Sequence, residues 1–297
     1  MEKQRYKGIL YIICSAFCFA LMNMFVRAAG DLPSIQKSFF RNLVAFVFAV
    51  IILKKNDIPF RCKRENLKYL VIRSICGTLG ILCNYYAVDH LVLSDASMLN
   101  KMSPFFSALF AVWLLKETIT WVHVSFLSVA FVGCAFILKP GVEGLLSPEA
   151  GVALLGGLCA GIAYTEVRKL GTGGVDKNWI ILFFSAFSCI CALPFLVFDY
   201  APMTASQLLF LILAGLTATG GQFGVTAAYC YVAAAEISIY DYSQIIFAAL
   251  FGYLFFAQIP DLYSVVGYII VCAAAIGMAM YSEKRNQKIE QDGREIR

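Results

Sequence analysis

Charge is what this chain has least of. Asp, Glu, Lys and Arg make up 14% of its 297 residues, against about 25% in an ordinary soluble domain. Hydrophobic residues take 60%, where about 45–50% is usual. A soluble fold of this length cannot hide that much apolar surface, because a large share of a small protein's area still faces water. An integral membrane protein is the class that fits. Histidine is nearly missing: His90 and His123 stand alone, far from any ligand-like cluster, so no metal site is expected. The eleven cysteines contain no C-x-x-C pair, and all but Cys62 lie in apolar runs. They read as small buried hydrophobes rather than disulfides or ligands. Missing too are H-E-x-x-H, G-x-S-x-G and Walker patterns, so neither an enzyme nor a cofactor is expected. The net charge of +5 resides in short loops and at the C-terminus. Without a continuous basic face, no nucleic-acid partner is expected.

What is present is a succession of long apolar runs. A bilayer-spanning helix needs about 20 mostly apolar residues. Ten segments qualify: 7–28, 35–53, 69–89, 94–115, 120–138, 149–168, 178–198, 206–229, 235–256 and 261–281. With the N-terminus placed in the cytoplasm, eighteen of the 24 Lys and Arg residues fall on the inner side and three (Arg27, Lys37, Lys139) on the outer side. Arg41, Arg73 and Lys101 lie within spans. This bias places both termini in the cytoplasm, and short loops without organelle signals favour the plasma membrane.

One offset, 141 residues, aligns the two halves of the chain. Arg27 falls on Arg168, Ser97 on Ser238, Phe106 on Phe247, and Ala108-Leu109-Phe110 on Ala249-Leu250-Phe251. Five spans per copy is an odd number, so the second copy enters the membrane from the other side. The expected fold is all-α integral membrane: ten transmembrane helices as two inverted five-helix repeats, 1–141 and 142–281, followed by a charged cytoplasmic tail, 282–297. Inverted repeats are a recurring plan of secondary transporters, with the substrate site near the midplane between them.

The stretch from Asn84-Tyr-Tyr-Ala through Asp95-Ala-Ser to Pro104 and Lys116-Glu117 resembles the drug/metabolite transporter superfamily, EamA branch. In the second copy Glu236 matches the acidic start, whereas Ile245 stands for the proline and Gln258 for the closing glutamate. The resemblance spans essentially the whole chain as five plus five helices. It implies amino acid-like or nucleoside-like substrates such as S-adenosylmethionine, or amphipathic drugs.

Polar residues inside spans point to a cavity, since an ionisable side chain in a bilayer core costs at least about 2.5–3.5 kcal/mol. Ser97, Asn100, Pro104 and Ser107 recur on one face of span four, with Lys101 beside them. Ser238, Asp241 and Gln244 do the same on span nine, flanked by Tyr240 and Tyr242. We expect Asn100, Lys101, Asp241, Tyr240, Tyr242, Gln244, Arg41, Tyr86, Ser97, Ser238 and Tyr164 to bind substrate, Pro104 to act as a bend point in gating, and Asp241 and Glu166 to couple protons. For Arg73 the expectation is snorkelling to the inner interface, for Arg27 and Arg168 interfacial charges, and for Glu166 pairing with Arg168 or Arg73. Along straight helices Lys101 and Asp241 lie about 10–15 Å apart in depth, so a direct bridge between them requires tilted or broken helices and is not expected.

The expected function is secondary active transport of a small organic metabolite by alternating access around a midplane cavity. The alternatives are a multidrug or amphipathic-cation exporter of the same fold and a non-transporting scaffold. The expected partners are a small-molecule substrate, the lipid bilayer and protons, with a monomer or homodimer as the assembly.

Overall fold

The computed structural model describes residues 2–57, 64–90, 99–138, 147–198, 200–256 and 261–295, and these contain helices and turns but no strand. The helices are α1 (Glu2–Ala28), α2 (Ser34–Lys55), α3 (Arg64–His90), α4 (Ser103–Leu115), α5 (Trp121–Leu138), α6 (Pro148–Thr172), α7 (Lys177–Phe198), α8 (Ala205–Tyr231) and α10 (Leu262–Glu295). Between α8 and α10 lies a composite α9: an α-helical turn Ala234–Ile237, a 3-10 stretch Ser238–Tyr242, and an α-helix Ser243–Phe256. Seven of these helices are long and apolar enough to cross a bilayer. The first begins at Glu2, earlier than the apolar run alone suggests, and α10 carries on through most of the charged tail.

Packing follows the internal duplication. Helix α8 lies along α1, and its counterpart α3 lies along α6. Helices α2 and α7, which are equivalents, pack on each other, as do α5 and α10. Helix α4 crosses α6, and α9 crosses α1. Each of these contacts maps onto itself or its partner when the copies are exchanged, which is what a two-fold axis between inverted repeats requires. The outer surface suits lipid: Leu109, Trp113, Trp121, Phe198 and Ile269 are all strongly exposed, and so wide an apolar exterior is stable only against hydrocarbon.

Helices α4 and α9 depart from the pattern. The α-helical part of α4 has 13 residues, about 20 Å at 1.5 Å per residue, too short for a core about 30 Å thick. Just before it the chain tightens, with Met102 N–H donating to Leu99 O (3.1 Å) and Phe105 N–H to Met102 O (3.0 Å). These are i to i+3 bonds, and α9 makes the same kind over Ser238–Tyr242. Pro104 sits in the first turn of the resumed α4, where its missing N–H has no helical partner to lose. It starts a helix rather than bending one. A close approach makes the crossing feasible: a Cβ on Gly161 of α6 would lie 2.5 Å from Phe106 Cβ and 2.9 Å from Ser107 N.

Candidate functional site

The two breaks meet. Lys101 stands in the tightened turn before α4, is 9% exposed, and directs its ammonium at the 3-10 stretch of α9. Lys101 Nζ donates to Asp241 Oδ2 at 3.0 Å and to Gln244 Oε1 at 2.8 Å, with Asp241 O at 3.4 Å. The Tyr242 hydroxyl donates in return to Lys101 O at 3.0 Å. The expected separation of this pair in depth is thus overturned. Depth counted along intact helices does not carry across a break, and both helices break at this level. A lysine placed among apolar helices has its donors met by three acceptors of the other repeat.

The remaining expected residues fall into several environments. Asn100 Nδ2 donates to Asn84 Oδ1 of α3 at 2.8 Å. Tyr164 stacks on Tyr229 with ring centroids 5.0 Å apart and lies within electrostatic reach of Asp241, Arg41 and Arg73. The buried Tyr240 hydroxyl has no hydrogen-bond partner. Ser238 spends its hydroxyl on Ala234 O one turn back in its own helix. Tyr86 is 42% exposed and stacks on His90 rather than joining the cluster. Ser97 lies outside the described residues, as do Asp95 and Gln258. Arg41 is half-buried on α2, its guanidinium 6.0 Å from the centre of the Phe19 ring.

Two expectations about charge are corrected. Arg73 does not snorkel: it is 3% exposed and lies 4.1 Å over the Phe184 ring of α7. Glu166 does not pair with Arg168 or Arg73: it is 4% exposed, and its Oε2 has no partner. Arg168 is paired within the protein. Its Nε donates to Glu117 Oε1 at 2.8 Å, and its Nη1 reaches Tyr229 O and Cys230 O at 3.4 and 3.2 Å.

Glu117 reaches that position because Lys116 adopts the left-handed conformation (φ 55°) at the end of α4 and Glu117 N–H closes back on Ala111 O. Its other oxygen, Oε2, accepts from Ala234 N–H at 3.1 Å, capping the first turn of α9, whose leading N–H groups lack helical partners. A second ion pair lies on the same face. Arg5 of α1 bonds the Glu236 carboxylate of α9, and its Nη2 donates to Ala279 O of α10 at 2.7 Å. Each pair joins one repeat to the other. Sequence reasoning missed both, because Arg5 and Arg168 stand at helix ends where a charge ordinarily faces headgroups. The faint signal was Glu117 and Glu236, acidic residues on a face otherwise dominated by Lys and Arg.

Comparison with known proteins agrees with this architecture. The profile of the EamA-like transporter family matches twice, over residues 6–139 and 148–280. The chain is 29% identical over 274 residues to the pseudopaline exporter of Pseudomonas aeruginosa, covering 92% of this chain and 95% of that protein. It is 24% identical over 296 residues to the S-adenosylmethionine uptake transporter of Rickettsia prowazekii, covering 96% of each. Human solute carrier family 35 member G1 is 25% identical over 92% of this chain and 79% of its own length. One solved crystal structure superposes with a TM-score of 0.82 over 93% of this chain and 98% of its own, at 12% identity, a likeness of fold. With the profile matched once in each half and the helices packed as exchangeable copies, the chain belongs to the EamA-like transporter family.

Proposed function

We propose that this protein is a secondary carrier that moves a small zwitterionic metabolite by alternating access about the Lys101–Asp241 junction. The observation that carries the reading is that junction itself: two repeat-related helices, each interrupted, meet through one cation and one carboxylate. Interrupted helices at the repeat interface are where carriers of inverted-repeat design hold their substrates. Lys101 and Asp241 satisfy each other when the site is empty. Removing one partner from a buried pair costs about 3–5 kcal/mol, because it strands the other charge. A zwitterion avoids that cost by presenting a carboxylate to Lys101 and an ammonium to Asp241 together. The relatives named for pseudopaline and for S-adenosylmethionine are consistent with small organic metabolites as cargo.

The Lys and Arg bias puts both termini in the cytoplasm, in a plasma membrane. The ion pairs Arg5–Glu236 and Arg168–Glu117 then close the cytoplasmic end, and opening that end separates the repeats there. Asp241 and Glu166 are the carboxylates placed to take up protons in such a cycle. The test is flux into proteoliposomes of purified protein, screened with labelled amino acids, nucleosides, S-adenosylmethionine and cationic dyes, with and without a pH gradient. Saturable flux of a zwitterion class is the expected result. Saturable flux confined to the non-zwitterionic cationic dyes would replace this reading with that of a drug exporter.

A further inference from the structure

Two arginines inside the helix bundle remain unused by the junction. Arg73 stands nine residues into α3, about 14 Å from its start, and Arg41 seven residues into the oppositely directed α2, about 10 Å from its start. Neither makes an ion pair or a side-chain hydrogen bond with any described residue, and Arg73 Nε is buried without a partner. Its guanidinium is folded against Gly77 of its own helix, where a Cβ would come within 2.1 Å of Nη1, and against the face of Phe184. Arg41 lies within electrostatic reach of Arg73, and both are within reach of Tyr164, as is Asp241. A ring face supplies a small part of what a guanidinium forms with a carboxylate. Buried charges are ordinarily paired, so a buried guanidinium with an unpartnered Nε, and a second guanidinium within electrostatic reach, mark a place kept for an anion.

The balance of charge points the same way. Lys101 and Asp241 cancel. Glu166 lies two residues beyond Tyr164 on α6, about 200° further round the helix, and its electrostatic neighbours are Lys169 and Lys68. What is left facing Tyr164 is the pair of guanidiniums.

We infer that Arg41 and Arg73 form an anion subsite, and that the cargo is a zwitterion with at least one further carboxylate. This rests on the carrier reading for its meaning but not for its test. The subsite selects against cations: a cationic metabolite would meet two like charges, whereas an acidic amino acid or a larger polycarboxylate satisfies both groups of residues. It also implies that the empty protein holds Arg73 at a cost, which is recovered when the anion binds.

Thermal unfolding of the detergent-solubilised full chain measures this directly, with citrate and L-glutamate as anionic probes and L-lysine as the cationic one. Citrate and glutamate should raise the melting temperature saturably, and lysine should not. Arg73→Gln should raise the melting temperature of the empty protein, because a stranded charge has gone, yet weaken citrate binding about tenfold or more. Arg73→Lys keeps the charge and should retain part of the response, and Arg41→Gln should weaken it by a smaller factor. No response of the wild type to either anion, an unchanged citrate response in Arg73→Gln, or a larger response to lysine would each overturn the subsite. Flux without arginine dependence would leave a carrier lacking this site, and arginine-dependent binding without flux would leave the site without the carrier.

Discussion

The two ends of the molecule are built from sequence copies that differ where α4 closes. Because the repeats are inverted, each residue and its copy 141 positions later lie on opposite faces. On the face that carries the N-terminus, α4 closes with Glu117, which holds Arg168 and caps α9. The copy of Arg168 is Arg27, but the copy of Glu117 is Gln258, which cannot hold an ion pair. Arg5 and Glu236 add a second charged tie on the N-terminal face. The N-terminal face therefore carries a carboxylate tie that the sequence does not repeat in the other copy.

The predictions rank by how much of this arrangement each removes. The largest effect belongs where both repeats contribute together. Lys101→Met or Asp241→Asn alone strands a buried charge and should destabilise the protein by about 3–5 kcal/mol. The double variant should recover most of that loss, as a double-mutant cycle in thermal unfolding will show.

Next is Glu117→Gln, which makes the first copy resemble the second. Loss of the charged bonds to Arg168 and to the start of α9 should cost about 1.5–3 kcal/mol and open the N-terminal face. Peptide-level mass spectrometry after maleimide labelling should find Cys230, whose carbonyl Arg168 holds, modified faster. An unchanged rate would remove the latch from the account.

The smallest effect tests the crossings beneath the breaks. Phe106 seats on Gly161, whereas its copy Phe247 meets Phe17 edge-on at 5.4 Å, and Ala20 stands where Gly161 does. Gly161→Ala should cost about 1–3 kcal/mol by overpacking. Ala20→Gly, which makes α1 like α6, should cost about 0.5–1 kcal/mol through helix propensity. Equal costs would mean that the two crossings are packed alike.

The membrane class, the spans and the duplication were legible because hydropathy and a constant offset are properties of the chain itself. Lys101 and Asp241 stood out as charges in apolar runs. Their bond was not legible, because straight-helix arithmetic has no place for a tightened turn before α4 that meets a 3-10 stretch in α9, and Ile245 standing for Pro104 gave no sign that α9 breaks as α4 does. Arg5 and Glu236 are 231 positions apart, a pairing made only when α1 meets α9. Arg73 was misread because a long side chain near a helix start can reach an interface, and whether it does depends on Phe184 and Gly77 beside it.

The most direct test of the account is saturable flux into proteoliposomes of the wild type, Lys101→Met, Asp241→Asn and the double variant, each reconstituted as folded protein. The account predicts flux in the wild type and a fall of about 100-fold or more in every variant, with the double variant regaining stability but not transport. Wild-type flux in Asp241→Asn would contradict it, and would leave the junction of the two broken helices as a structural brace.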